Sequence, residues 1–421
     1  MLQDIKKDLW EGRTLFLFGF LKALSQVTPL VIARFFSEEA FGTYSQAKLV
    51  VYFFITLLVT ASGVPFVVYA SRERAETGKI NKSFSIQLIF FVFGIVLYAI
   101  LAGTFNRTIR NFAQITGEDL IYVSIGFLGI SLISFVTNLF LAMGNRIRSS
   151  LAEFVFGAMN LGIVVVLCIA GKLSLRGVFG AYFISAVAVV LFFAKGIDRG
   201  RILPLELDLK RFGGMFNFTK WVLVGAMATY FIDWGDNVIL KIFNVPMADI
   251  GQYSLAYQIF NGVVTLIYIL NGYFLPFISE NINDTGKIRD YLFRKRPRIL
   301  LFGVVLLAAA FFGCPYFFKV AYPGTYQESV LVLRILLIGC GFVLYNTFYL
   351  PLLNALQLYR FSQTTNVAVM VIKVILDTLL VLKYGFYGAA IGTVISYLCS
   401  TIIYECYYRI KMKRMLGMKA A

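Results

Sequence analysis

The 421-residue sequence has no histidine. That absence excludes His-based general catalysis, His metal ligation and a proximal-His haem. Its five cysteines, Cys168, Cys314, Cys340, Cys399 and Cys406, are scattered through apolar stretches without a CxxC. Such spacing supports neither a zinc site nor a disulfide framework, and these residues read as small core side chains. No GxxxxGK[ST] run is present, so ATP hydrolysis by this chain is not expected. Charge is scarce at 14% of residues, and no polar run is long enough for an extramembrane domain. What is abundant is apolar surface: 59% of residues are hydrophobic, more than a soluble protein of this size can hide in a core. The composition therefore points to a membrane.

A bilayer-crossing helix needs about 20 mostly apolar residues. That criterion predicts an all-α polytopic membrane protein with about twelve transmembrane helices, near 14–36, 43–70, 84–103, 119–143, 151–170 and 177–195, then 215–241, 251–278, 299–319, 329–353, 363–382 and 386–408. The opening MLQDIKKDLWEG has charges where a signal peptide would need its apolar region. Leu2, Ile5 and Leu9 fall at helical spacing beside Lys6 and Lys7, so residues 1–12 are expected to form an interfacial helix anchored by Trp10.

Basic residues set the orientation. With the N-terminus inside, 26 of the 39 Lys and Arg fall in cytoplasmic segments, seven in outer loops and six within or at the ends of spans. Both termini are expected in the cytoplasm.

The two halves echo one another. Ala33-Arg-Phe-Phe-Ser-Glu-Glu-Ala-Phe-Gly42-Thr-Tyr44-Ser45 is matched by Leu240-Lys-Ile-Phe-Asn-Val-Pro-Met-Ala-Asp-Ile-Gly251-Gln-Tyr253-Ser254, and Gly63-Val-Pro65 by Gly272-Tyr-Phe-Leu-Pro276. Ala142–Arg146 pairs with Ala355–Arg360, and Gly177 with Ile184-Ser185 pairs with Gly388 and Ile395-Ser396. Six spans per copy keep both copies in the same orientation, the arrangement of parallel-repeat transporters. The expected organisation is a six-helix lobe over 1–195, a cytoplasmic linker over 196–214 rich in glycine, and a second six-helix lobe over 215–421 with a basic tail.

At these residues a family resemblance becomes specific. Asp236-Asn-Val-Ile-Leu-Lys-Ile-Phe243 followed by Ile250-Gly-Gln-Tyr-Ser-Leu-Ala-Tyr257 resembles the seventh-to-eighth span signature of O-antigen and polysaccharide flippases. Those proteins share a superfamily with multidrug extruders and lipid II flippases. Phe41-Gly-Thr-Tyr-Ser45 and Tyr387-Gly-Ala-Ala-Ile-Gly-Thr-Val-Ile-Ser396 fit the same family. The resemblance implies a non-enzymatic flippase of the bacterial inner membrane. Its cargo would be an undecaprenyl-diphosphate-linked oligosaccharide, and its partners a polysaccharide polymerase and glycosyltransferases rather than nucleic acid. Fold-level likeness alone is weak ground for cargo.

Charges inside the hydrocarbon cost about 2.5 to 3.5 kcal/mol on insertion scales and usually face a cavity or a partner. Lys22 lies in span 1 with Ser25, Gln26 and Pro29 on one face; Lys48 has Tyr52 one turn on; Arg334 shares a stripe with Gly341 and Tyr345. Lys373 and Asp377 stand four apart, the spacing at which side chains meet. If most of them face one cavity, Lys22, Lys48, Arg334 and Lys373 form a cationic ladder for a diphosphate; snorkelling to the surface, or for Lys373 simple neutralisation by Asp377, is the structural alternative. Gln26, Tyr52, Gln258, Asn261 and Tyr345 are the candidate glycan contacts, since amides and hydroxyls both donate and accept. Helix-to-helix hydrogen bonding would explain the Gln258–Asn261–Thr265–Tyr268 stripe equally well. Asp233 or Asp377 could couple transport to a proton or sodium gradient; no other cofactor is expected. The alternatives are an ion-coupled multidrug extruder, disfavoured by the excess of intramembrane cations, and a membrane glycosyltransferase or polymerase. The latter usually needs carboxylates on a sizeable outer loop, and Glu118 with Asp119 is the one outer acidic pair.

Overall fold

The structure is a computed structural model, and it describes residues 27–412 except 283 and 357. Among the described residues there are helices and no strands. The long helices are α1 (Val27–Phe35), α2 (Glu38–Thr77), α3 (Asn81–Thr104), α4 (Gly117–Ala142), α5 (Arg146–Ile169) and α6 (Leu175–Phe193). They continue with α7 (Leu209–Ile242), α8 (Met247–Glu280), α9 (Arg296–Ala321), α10 (Ser329–Thr347), α11 (Tyr359–Tyr384) and α12 (Phe386–Tyr407). Ten of them are long and apolar enough to cross a membrane. The other two are α1, whose described part has nine residues, and α7, whose 34 residues include Asn217, Lys220, Asp233 and Asp236. The expected segments thus appear in order, and the predicted interfacial helix over 1–12 lies outside the described residues.

Several helices outrun the hydrocarbon. α2 runs 40 residues, about 60 Å at 1.5 Å per residue, twice a bilayer core. Its middle relaxes into a π-turn at Thr56–Thr60, and it stops at Gly78, whose φ of 74° closes the last turn through a hydrogen bond to the Arg74 carbonyl. Helix starts are written locally. Thr116 and Asp119 make a reciprocal capping box on α4, and Ser174 caps α6 by accepting from the Gly177 amide.

Packing divides the described residues into two units, one formed by Thr43–Tyr230 and the other by the stretch up to Gly42 together with that from Phe231. In the first, Phe66, Ile86, Phe135, Leu139, Phe140 and Met215 belong to one buried apolar cluster. Gly129 lets α4 approach α6 closely, since a Cβ there would come 2.7 Å from the Phe183 Cα. At one end the buried Glu73 carboxylate accepts from the amides of Lys82 and Ser83 at 3.0 and 2.9 Å and pairs with Arg211 at 2.5 Å. It caps α3 and ties down the start of α7.

In the second unit the repeat becomes visible. A Cβ on Gly42 would overlap the Met247 carbonyl and lie 3.1 Å from the Gly251 amide nitrogen, while one on Gly251 would overlap the Glu38 carbonyl and lie 3.2 Å from the Gly42 nitrogen. The two glycines aligned by the sequence repeat touch reciprocally, as equivalent residues about a twofold would. Nearby, Ser329 caps its contact with Gln252 through bonds of 2.7 and 3.0 Å, and the Tyr326 amide donates to Glu38 at 2.8 Å. α9 is the least covered of the ten apolar helices among the described residues, with 6% of its apolar stretch buried.

Candidate transport site

Four helices of the second unit bring charged and hydroxyl side chains to one buried point. Lys373, from the middle of α11, is hydrogen-bonded to Asp236 of α7, donates to the Thr393 hydroxyl of α12 at 2.6 Å and pairs with Asp377 at 3.1 Å. Thr393 donates onward to Asp236 at 2.9 Å, and the Tyr253 hydroxyl of α8 also donates to Asp236. Lys373 is 1% exposed, and Asp236 and Asp377 are fully buried. Small residues make the room: a Cβ on Gly392 would collide with Asp377 Oδ1, and one on Gly388 with the Leu380 carbonyl. The α11–α12 contact therefore depends on glycine at both positions. Beside the cluster, Ser254 donates to Asn237 at 2.9 Å, and Asp233 is half-buried.

The first unit holds a second polar group. Lys48 is 5% exposed, and its ammonium lies 5.6 Å from the Tyr52 ring centroid. One turn earlier the Tyr44 hydroxyl meets that of Tyr182 at 3.1 Å.

The remaining expected residues are distributed. Arg334 is half-buried and spends its Nε–H on the Phe311 carbonyl of α9 at 3.2 Å, with its guanidinium over the Phe311 ring. Tyr345, the expected glycan contact on the same stripe as Arg334, joins a different group. Its ring and that of Tyr349 flank Arg296 at 4.1 and 4.5 Å, and both hydroxyls donate to Glu405, which Arg409 also engages at 2.6 Å. Arg296 itself reads from the sequence as a loop cation, but it is buried in the first turn of α9. Gln258 is buried and Asn261 half-buried on α8, where Thr265 back-bonds to the Asn261 carbonyl. Lys22 and Gln26 lie outside the described residues.

Two expectations change. The Lys373 ammonium is taken up by two carboxylates and a hydroxyl, so it is not available to a diphosphate in this arrangement; the i,i+4 pairing with Asp377 is present, but Asp236 is the closer partner. The Tyr345 hydroxyl and ring are likewise already engaged. The acidic pair expected on the outer side, Glu118 and Asp119, is tied to Arg176 at 2.6 and 2.8 Å. Sequence reasoning missed Asp236, Tyr253 and Thr393 as one constellation; all three lie inside the motifs quoted above, but no local spacing links them.

The helices define a polytopic membrane protein with a transporter fold. It is similar to an inward-facing multidrug resistance MATE family transporter of the MOP superfamily, with a TM-score of 0.78 at 13% identity over 97% of this chain and 100% of that one. It is also similar to the lipid II flippase MurJ in an inward closed conformation, with a TM-score of 0.75 at 16% identity over 96% and 91%. The chain belongs to the polysaccharide biosynthesis protein family, whose sequence model matches residues 31–331. It is similar to a Shigella flexneri protein assigned as an O-antigen transporter, 24% identical in a 430-position alignment covering 96% of this chain and 97% of that one. It is similar as well to a Haloferax volcanii protein assigned as the low-salt glycan biosynthesis flippase Agl15, 22% identical over 225 residues, 52% of this chain and about half, 47%, of that one. The family is thus of the polysaccharide flippase type.

Proposed function

We propose that this protein moves an undecaprenyl-diphosphate-linked oligosaccharide from the inner to the outer leaflet of a bacterial cytoplasmic membrane, for O-antigen or related polysaccharide assembly. Membership of the polysaccharide biosynthesis family across residues 31–331 carries the reading, and the assignments of the two relatives support it. The physical task is clear: a glycan and a pyrophosphate cannot cross hydrocarbon unaided, whereas a polyprenyl tail is at home there. In the proposal the lobes 1–195 and 215–421, joined by the linker 196–214, alternate access to a head-group cavity while the tail stays in lipid. Both termini are cytoplasmic, on the strength of the 26 to seven bias in basic residues. Lys22, Lys48 and Arg334 hold the diphosphate; Gln26, Tyr52, Gln258 and Asn261 face the sugars. A proton or sodium gradient acting through Asp233 or Asp377 drives the cycle. A polymerase receives the flipped product, and glycosyltransferases supply it.

The test is leaflet transfer in vesicles containing only this protein. Lys48→Ala and Arg334→Ala should each slow transfer of the lipid-diphosphate glycan by about tenfold or more, the loss of one charge-assisted hydrogen bond, while insertion stays intact. Unchanged transfer in both variants would remove the cationic-ladder mechanism.

A further inference from the structure

The cluster around Lys373 carries an odd charge. Asp236 and Asp377 contribute two negative charges and Lys373 one positive, all at 1% exposure or less. The titratable neighbours on the surrounding helices supply no positive charge to balance it: Asp233 of α7 is another carboxyl group, and Tyr253 and Tyr257 of α8 and Tyr397 of α12 are phenols. One unneutralised negative charge at this depth is expensive, and a proton or cation must compensate it.

The two carboxylates are not equivalent. Asp236 accepts from Lys373, Thr393 and Tyr253, and hydrogen bonds to a carboxylate favour its ionised form. Neither oxygen of the buried Asp377 meets a well-aligned donor among the described residues, and its ion pair, 3.1 Å to Lys373, is with an ammonium already held by Asp236. A metal cation would have to share the space with that ammonium and would be repelled by it. A proton needs no coordination shell.

The internal repeat supplies an independent argument. The first-half stretches corresponding to the Asp236 and Lys373–Asp377 regions, Val27–Leu30 of α1 and Met159–Val166 of α5, contain no charge. The residues aligned with Tyr253 and Thr393 in that copy are Tyr44 and Tyr182, whose hydroxyls meet at 3.1 Å. The Asp236, Lys373 and Asp377 charges thus have no charged counterparts at the aligned positions.

We propose that Asp377 is an exchangeable proton site: it takes one proton from water to become a neutral carboxyl group beside the standing Asp236–Lys373 ion pair, and returns that proton to water on the other side as transport proceeds. No bond other than the carboxyl O–H forms or breaks. The site itself stands on the geometry; its use in coupling rests on the flippase reading.

Infrared difference spectroscopy on the full-length protein in lipid, stepped from mildly alkaline to acidic buffer, reads the carboxyl directly. Wild type should gain a deuterium-sensitive carboxylic C=O band that Asp377→Asn lacks and Asp233→Asn keeps. Lys373→Met, which leaves two carboxylates without the ammonium, should roughly double the band, because a second proton is then needed to restore neutrality; this variant serves even if the Asp377 variant fails to fold. No band in wild type, the same band in Asp377→Asn, or an unchanged band in Lys373→Met would each overturn the site. In transport vesicles an imposed proton gradient should raise transfer severalfold in wild type and leave Asp377→Asn unaffected. A band with gradient-insensitive transfer overturns the coupling, whereas a band with no transfer at all supports the site and removes the flippase reading.

Discussion

Asp236 shows what a single residue in this protein carries. Three donors from three other helices converge on its carboxylate, so Asp236→Asn would break that shared ion pair and leave the Lys373 ammonium with Asp377 alone, at 3.1 Å. We expect a loss of about 3 kcal/mol of stability, the usual cost of breaking a buried pair, seen as a lowered unfolding temperature in detergent. Thr393→Val, which removes one neutral donor, should cost about 1 kcal/mol. The Lys373–Asp377 pair was legible from spacing alone because helical geometry is local. Asp236 lies 137 residues from Lys373, and no periodicity reports a contact across that distance. Arg296 was not singled out for the opposite reason: it stands in a basic run with Arg294, Lys295 and Arg298, while the tyrosines that flank it, Tyr345 on α10 and Tyr349 in the turn that follows, lie 49 and 53 residues further on.

Elements depend on close approach at a few glycines. Gly42 and Gly251 bring the first turns of α2 and α8 to backbone contact, so Gly42→Val should destabilise by about 1 to 3 kcal/mol through overpacking. Gly162→Ala in α5, where a new Cβ meets nothing within 4 Å, should be neutral or should stabilise by up to about 1 kcal/mol through helix propensity. Thermal unfolding of the two variants side by side checks both; equal shifts would contradict the reciprocal contact. The helices themselves were legible because hydropathy measures what lipid demands. Their ends were less so: α2, expected over 43–70, runs from Glu38 to Thr77, since a helix with satisfied backbone can extend into water where hydropathy no longer marks it.

For the whole molecule, the scarcity of charge and the missing histidine leave few residues able to do chemistry, and a flippase asks for none that break covalent bonds. Orientation is the first check. In a background lacking the five native cysteines, Arg107→Cys should react with a membrane-impermeant thiol reagent applied to intact cells, and Lys79→Cys should react only after lysis. The central claim is tested most directly by leaflet transfer of an undecaprenyl-diphosphate oligosaccharide in vesicles containing this protein alone, with and without an imposed ion gradient. Transfer well above that of empty vesicles is the predicted result; transfer no faster than empty vesicles under both conditions would contradict it.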